Sequence, residues 1–446
     1  MPKPNNTSRT KLPPTVWNKI EAEANARAAM GQNVFAIHVG DTHLPFPKGL
    51  TEPIPDEDYL FGGTPPPAPP ASSGENLGRL ASGGENKSHA ASSGGKGIVR
   101  LNMYSDTYGD KPLRELIAQK AAFRNNLPID GIENVQVTAG ATSGLQAAFS
   151  RLIDPGAEVL VLAPYWSILR QVADQAHMKL VEVLFWDKAA SHSVGHPPLP
   201  PPQAVGSHGN WFVDPAEILE PFITAKTQGI YINTPSNPTG MLMDRAMLER
   251  IGEFARAHDL WIFSDEAYED FIWEGGEHVS IGSLPGMFER TISIYTFSKC
   301  FGASGMRIGY VVAEASVVSQ INRGIVGGYY QPGRLGQLFA WRGLQRYEET
   351  VLTFRHDYAP TWRWVRDHLK CDFMPSVGGF YFFVKLPPGW EGLPPELKID
   401  RMLDGGVVLS PGEYFGHDYH GWARLCFTIL PPEQTAEAIH RLNQMF

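Results

Sequence analysis

Residues 295–310 read YTFSKCFGASGMRIGY. Lys299 lies among small hydroxyl and glycine residues directly after an apolar run of strand length, Thr291–Tyr295. A lysine in that setting is rarely just a solvated surface cation. Arg307 adds a fixed positive charge whose planar fork suits a bidentate anion. A second apolar run, Ile308–Val312, follows at once. The stretch reads as strand, polar turn, strand, with both cations at the turn.

Outward from this stretch the same grammar repeats. Apolar runs occur at Val135–Thr138, Glu158–Leu162, Leu180–Leu184, Gly229–Ile232 and Leu260–Phe263, and helical stretches such as Ser143–Leu152 and Arg245–Ala257 lie between them. Apolar strands separated by helices predict an α/β fold, a mostly parallel sheet sandwiched by helices. Past Gln337 the pattern changes to one long helix over Leu338–Lys370, then a strand in GGFYFFVKL (378–386), a helix and further short strands. That is a smaller α+β region. Toward the N-terminus, residues 15–30 read as a helix closed by Gly31, followed by an apolar strand, Val34–Val39, that ends at Gly40-Asp41.

Two stretches differ in kind. Residues 62–97 repeat ASSGEN, ASGGEN and ASSGGK from Ala71, Ala81 and Ala91, and residues 189–209 centre on PPLPPP. Both read as surface loops rather than docking motifs. In the first, burying Leu77 and Leu80 would return ~3–6 kcal/mol, whereas ordering the backbone costs ~1–2 kcal/mol for every residue. The expected division is an N-terminal helix and arm (1–50) packing with the small domain, a low-complexity insertion (51–100), a large domain (101–328) and a small C-terminal domain (329–446).

The chain has 446 residues, enough for one very large or two intimate domains. With 38 Lys+Arg against 47 Asp+Glu the formal charge is −9, which argues against sequence-independent nucleic-acid binding, a function that needs a basic face. Hydrophobic residues at 43% are ample for a core and exclude a wholly disordered chain. Cys300, Cys371 and Cys426 are too few and too scattered for a disulfide framework or a thiolate zinc site. No apolar run of membrane-spanning length occurs. The expectation is a soluble, cytoplasmic protein with small-molecule partners, no metal, no nucleic acid and no membrane.

Three further segments stand at the ends of predicted strands, where open α/β sheets bind ligands. Thr138-Ala-Gly-Ala-Thr142-Ser-Gly144 joins a strand to a helix whose first turn offers unpaired N–H groups and a positive dipole end to a phosphate, although such turns commonly serve as caps alone. In Asn233-Thr-Pro-Ser-Asn237-Pro-Thr-Gly240 two prolines fix the backbone around Asn237; an ordinary strand-to-helix turn is the plainer reading. Ser264-Asp265-Glu266-Ala-Tyr268 brings Asp265 out at the top of the sheet with Tyr268 one turn on, or else supplies an acidic helix cap.

Together the four segments resemble the class I/II aminotransferases of the fold-type I pyridoxal-phosphate enzymes. In that family a pattern like Ser/Thr-x-Ser-Lys-x2-Gly-x2-Gly-x-Arg-Ile-Gly surrounds the lysine that binds the cofactor. The resemblance covers residues 37–40 and 101–442, with family-like spacing from Asn237 through Asp265, Tyr268 and Lys299 to Arg307. It implies a homodimeric, pyridoxal 5′-phosphate-dependent aminotransferase exchanging an amino group between an L-amino acid and a 2-oxo acid by a ping-pong mechanism. By the same resemblance Lys299 links to the cofactor and later moves the substrate α-proton. Asp265 pairs with the pyridine nitrogen, Asn237 and Tyr268 hydrogen-bond the ring 3′-oxygen, and Trp166 stacks on the ring. Ala141, Thr142, Thr296, Ser298 and Arg307 hold the phosphate, and Tyr104 reaches the phosphate of the neighbouring subunit. Arg424, in GWARLCF, clamps the substrate α-carboxylate with Asn237 and the Gly40 backbone nearby. A lysine with this task needs a pKa below the usual ~10.4, and a nearby Arg307 pushes it that way.

The chain also departs from the family pattern. Its repetitive loop stands roughly where a helix normally precedes Tyr104. Thr142 occupies a position that some aspartate-preferring relatives fill with lysine. Tyr329 and Tyr330 stand where Ser/Thr is usual, which would narrow and aromatise the pocket unless they are surface tyrosines. Thr142 and the tyrosine pair favour apolar or aromatic donors over aspartate and glutamate. Arg334 is a candidate for meeting a distal carboxylate, and His417 and His420 read as loop histidines rather than metal ligands. Two rival readings stay open: a lyase, decarboxylase or synthase using the same Lys299 and Asp265, and a non-catalytic ligand sensor. The second is disfavoured because no helix-turn-helix or basic arm is appended and the catalytic set is complete.

Overall fold

The computed structural model describes residues 16–32, 34–38, 40–46, 104–129, 131–186 and 214–446. The loops expected at 62–97 and 189–209 lie outside them. The N-terminal helix spans Val16–Ala29 and leads into β1 (Phe35–Ala36). Seven strands then build the main sheet: β2 (Val135–Thr138), β3 (Glu158–Ala163), β4 (Lys179–Leu184), β5 (Thr227–Asn233), β6 (Trp261–Asp265), β7 (Thr291–Thr296) and β8 (Gly309–Val312). Their order is β2-β8-β7-β6-β5-β3-β4. β8 runs antiparallel to β2 and β7, and the other pairs are parallel. The expected mostly parallel, helix-covered sheet is the one found.

Alternation along the strands builds a core on each face. On β7, Ile294 enters a cluster with Val159, Ile232 and Ile262 and with Leu145, Ile251 and Ile321 from three helices. Its neighbour Tyr295 enters another, with Val135, Val137, Phe297 and Tyr310 and with Leu113 and Ile117 of the helix Lys111–Phe123. The helix Arg245–Ala257 shows how the sequence dictates such packing. Asp244 caps it by accepting from Met247 N–H at 2.8 Å, and Met247, Leu248, Ile251, Phe254 and Ala255 form its buried stripe.

The C-terminal part adds β9 (Tyr381–Lys385), β10 (Val407–Val408), β11 (Ser410–Pro411) and β12 (Trp422–Cys426). β11-β12-β9 form an antiparallel sheet, while β1 pairs in parallel with β10. Ile20, Phe35, Ile37, Trp362, Phe382, Val407 and Leu425 share one cluster, so the N-terminal segment is part of this third core.

Two expectations need correction. The apolar run Val34–Val39 gives a strand of only Phe35–Ala36, with Val39 outside the described residues. Beyond Ile37 the His38 carbonyl accepts from Ser410 and Arg424 side chains instead of a strand. The long helix expected over Leu338–Lys370 is two helices, Arg334–Gln345 and Tyr347–His368, broken at Arg346 with ψ 27°. The break lets Tyr347 donate to buried Asp270 at 2.5 Å while Phe339 stays in the core beside Leu113. No helix among the described residues is long and apolar enough to cross a membrane.

Candidate active site

The C-terminal ends of β5, β6 and β7 lie side by side, the register pairing Asn233 with Asp265 and Asp265 with Ile294. A cavity of about 460 Å³ opens there. Gly40, Ala141, Thr142, Trp166, Asn237, Asp265, Tyr268, Thr296, Ser298, Lys299, Arg307 and Arg424 all line it. Tyr104 does not: it is 78% exposed, with its ring 4.9 Å from that of Tyr330.

One end of the cavity is built for an anion. The helix Ala141–Leu152 starts there behind Gly140, whose φ of 83° favours glycine. A Cβ on Gly140 would also sit 2.6 Å from Arg307 Nη2, so the turn needs a residue without a side chain to let the guanidinium in. Arg307 itself is left-handed, with φ 51°, and its Nη1 donates to the Ser304 carbonyl at 2.8 Å. Thr296 Oγ1 and Ser298 Oγ, 2.9 Å apart, complete this end. Dipole, guanidinium and hydroxyls converge as a phosphate requires.

Asp265 occupies the floor, buried. Its Oδ2 accepts from Tyr231 at 2.7 Å and its Oδ1 from Ala267 N–H at 3.1 Å. Burial pushes its pKa up to about 6, against the pull of these two hydrogen bonds. Asn233 Nδ2 donates to the Asp265 carbonyl at 2.8 Å, and Asn233 Oδ1 accepts from Asn237 N–H at 2.7 Å. The next residue, Glu266, is also buried and accepts from Ser264, Ser280 and Tyr295 at 3.0, 2.7 and 2.9 Å. Its carboxylate lies 2.9 Å from His278 Nε2. The turn that carries Asp265 and Tyr268 is therefore fixed from behind.

Lys299 Nζ reaches across to the Gly40 carbonyl at 2.5 Å. Burial lowers its pKa, Arg424 and Arg307 push the same way, and Asp41 and Cys426 oppose them. Asp41 is held by Ser304 Oγ at 3.1 Å from both carboxylate oxygens.

Arg424 lies on β12, buried, and donates through Nη1 to Asn237 Oδ1 at 2.9 Å and through Nη2 to the His38 carbonyl at 2.5 Å. Its buried Nε has no partner among the described residues. A desolvated donor of that kind calls for an anionic acceptor. The Tyr381 ring lies 4.5 Å from the guanidinium, and the Tyr381 and Tyr268 hydroxyls are 2.7 Å apart.

Of the other residues singled out from sequence, Tyr329 and Tyr330 do not line the cavity, so they do not aromatise its wall. The Tyr329 hydroxyl sits 3.1 Å from Ala139 N and 3.2 Å from Ser143 Oγ, bracing the helix start, and Tyr330 is exposed. Arg334 is paired with Asp110 at 3.1 Å. His417 and His420 lie beside Glu182 and Glu413 at 3.4 and 3.5 Å.

Sequence reading missed Tyr231, Asn233, Tyr381, Asp41 and Ser304. Tyr231 sat inside an apolar run and read as core. The two glycines ahead of Phe380 and Tyr381 were the available signal for a strand approaching the site closely.

Residues 96–442 match the sequence model of the family described as aminotransferase class I and II. The chain is 30% identical to aromatic-amino-acid aminotransferase 2 of Thermococcus litoralis, over 77% of this chain and 84% of that protein. It is 31% identical to an arginine–pyruvate transaminase of Pseudomonas aeruginosa, over 76% of this chain and 81% of that one. In fold it is similar to a double mutant of Thermus thermophilus aspartate aminotransferase, with a TM-score of 0.75, 23% identity and 98% of both chains covered.

Proposed function

The chain belongs to the class I and II aminotransferase family, and from that premise we propose that it uses pyridoxal 5′-phosphate to exchange an amino group between an L-amino acid and a 2-oxo acid in a ping-pong cycle. The observation that carries this reading is a convergence on one cavity. A buried lysine of lowered pKa, a buried aspartate, an arginine at a helix start and a second arginine with an unspent donor all meet there. The Gly140 cradle around Arg307 fits a phosphate, and the buried carboxylate of Asp265 fits a protonated ring nitrogen.

When bound, the cofactor supplies an electron sink for the pair left as the substrate Cα–H bond breaks. The chain's own residues do the rest. Ala141, Thr142, Thr296, Ser298 and Arg307 hold the phosphate. Asp265 keeps a proton on the ring nitrogen, Asn237 and Tyr268 orient the ring through its 3′-oxygen, and Trp166 covers a ring face. Arg424, beside Asn237 and the Gly40 backbone, orients the substrate through its carboxylate. Lys299 Nζ, once free, takes the proton from Cα and would hand it to the cofactor carbon that receives the nitrogen, a task that its lowered pKa suits.

The donor class we favour is apolar or aromatic. Among the described residues the cations lining the cavity are Lys299, Arg307 and Arg424, and each already has a task. We place the working unit as a homodimer, with exposed Tyr104 reaching the partner's phosphate site. We place the boundary between a large domain (101–328) and a small one (329–446) that includes the N-terminal arm, a division supported by the cluster that Ile20, Phe35 and Ile37 share with Trp362, Phe382, Val407 and Leu425. The scattered free cysteines suit the reducing cytoplasm.

The test is a spectroscopic screen in which each amino acid is added to the cofactor-loaded enzyme. Transamination leaves the cofactor in its amine form, and a 2-oxo acid then restores the starting spectrum. Product release with the starting spectrum retained would point to a lyase or decarboxylase instead.

A further inference from the structure

We propose that Tyr231 is a positioning residue for the cofactor ring: its hydroxyl holds the Asp265 carboxylate in the orientation from which it pairs with the ring nitrogen. The proposal rests on the cofactor reading above. Tyr231 and Asn233 are alternate residues of β5 and share a face, and the parallel register sets Asn233 beside Asp265 on β6. The Tyr231 hydroxyl thereby reaches Asp265 Oδ2 at 2.7 Å, with both side chains buried.

The geometry explains why a second anchor is needed. The terminal torsion of an aspartate is broad and roughly two-fold. The Ala267 N–H on Oδ1, at 3.1 Å, would by itself leave the carboxylate free to swing. Anchored through both oxygens, it keeps a fixed plane, and each oxygen retains an acceptor site for the cavity. A phenol suits this place because it donates without bringing a charge. A lysine or arginine there would spend the negative charge that the ring nitrogen needs.

The electrostatics agree. Burial drives Asp265 toward protonation, and the Tyr231 hydrogen bond opposes it; Lys299 favours the charged form and Glu266 disfavours it. Tyr231 keeps its own proton, because burial and the neighbouring carboxylate raise its pKa well above the usual value.

The test titrates four apoenzymes with pyridoxal 5′-phosphate: wild type, Tyr231→Phe, Asp265→Ala and the double variant. Phe keeps the buried ring, and the thermal midpoint of each apoprotein establishes that it is folded. Tyr231→Phe should raise the cofactor Kd about tenfold or more, as loss of one hydrogen bond to a charged group does. In the Asp265→Ala background the same substitution should change nothing further, since a residue acting through Asp265 has then lost its target. An unchanged Kd in Tyr231→Phe, or an equal loss in both backgrounds, would overturn the proposal and leave Tyr231 a packing residue. Failure of the wild type to bind the cofactor at all would instead refute the cofactor reading on which the proposal stands.

Discussion

Lys299 Nζ donates to the backbone carbonyl of Gly40 at 2.5 Å, so the lysine on the short helix Phe297–Cys300 after β7 is held by a segment from near the N-terminus. The contact aims the amine into the cavity without using Arg307 or the helix start. Lys299→Ala should therefore still bind pyridoxal 5′-phosphate through the anion-binding end. It should lack the absorbance of lysine-bound cofactor and lose at least ~10²-fold in kcat. Turnover within a few-fold of wild type would sink the assignment.

Gly40 carries a second consequence. A Cβ there would lie 1.7 Å from the Tyr381 hydroxyl oxygen and 2.7 Å from its Cζ. Gly40→Ala should displace Tyr381, and with it the aromatic face against Arg424, at a cost of ~1–3 kcal/mol. The amino-acid KM should rise at least ~10-fold and Tm should fall, by steady-state kinetics and thermal melting. Unchanged values would mean that Tyr381 yields freely.

The environment of Lys299 makes a pH prediction. The neutral amine is the nucleophile, and burial lowers its pKa below the ordinary 10.5, with Arg424 and Arg307 adding to the shift. A lowered pKa leaves more neutral amine at any given pH, so the rate of cofactor capture by apoenzyme should rise with pH through a midpoint below 10.5. Asp41 holds the value up. Asp41→Asn should thus move the midpoint further down, and stopped-flow capture rates across pH read the sign directly. An upward shift would contradict the geometry.

Tyr104 is exposed in the single chain and does not line the cavity. A subunit carrying Tyr104→Phe with Lys299 intact, mixed with one carrying Lys299→Ala with Tyr104 intact, should form hybrid dimers that each contain one unmodified site. Activity should rise above that of the Tyr104→Phe enzyme alone. No rise on mixing would remove the contact across the dimer.

Substrate preference follows from the charges in the cavity. With Lys299, Arg307 and Arg424 already engaged and Thr142 lining the wall, kcat/KM for phenylalanine or methionine should exceed that for aspartate. A clear aspartate preference would reverse the assignment and call for a cation from outside the described residues.

The sequence by itself determined the sheet. Apolar runs of strand length separated by amphipathic helices leave few arrangements other than a covered, mostly parallel sheet, and β2 through β8 fall within a residue or two of those runs. The chemistry-bearing residues were legible for a related reason. Asp265 closes β6, Lys299 follows β7 and Arg307 lies just ahead of β8; Asp265 alone reads equally as a helix cap, and it is the spacing of all three together that carries the resemblance. Only the tertiary structure decided what holds them. Tyr231 reads as one more apolar strand residue until the register of β5 on β6 sets its hydroxyl against Asp265. Tyr381 and Asp41 acquire their roles only when β9 and the N-terminal segment close over the C-terminal ends of β5, β6 and β7. The break at Arg346 was equally hidden, because a lone Gly343 is tolerated inside a helix and the turn is set by where Tyr347 and Phe339 must each be buried. Periodicity records which side of an element faces a core; it carries no record of which distant element supplies the partner atom.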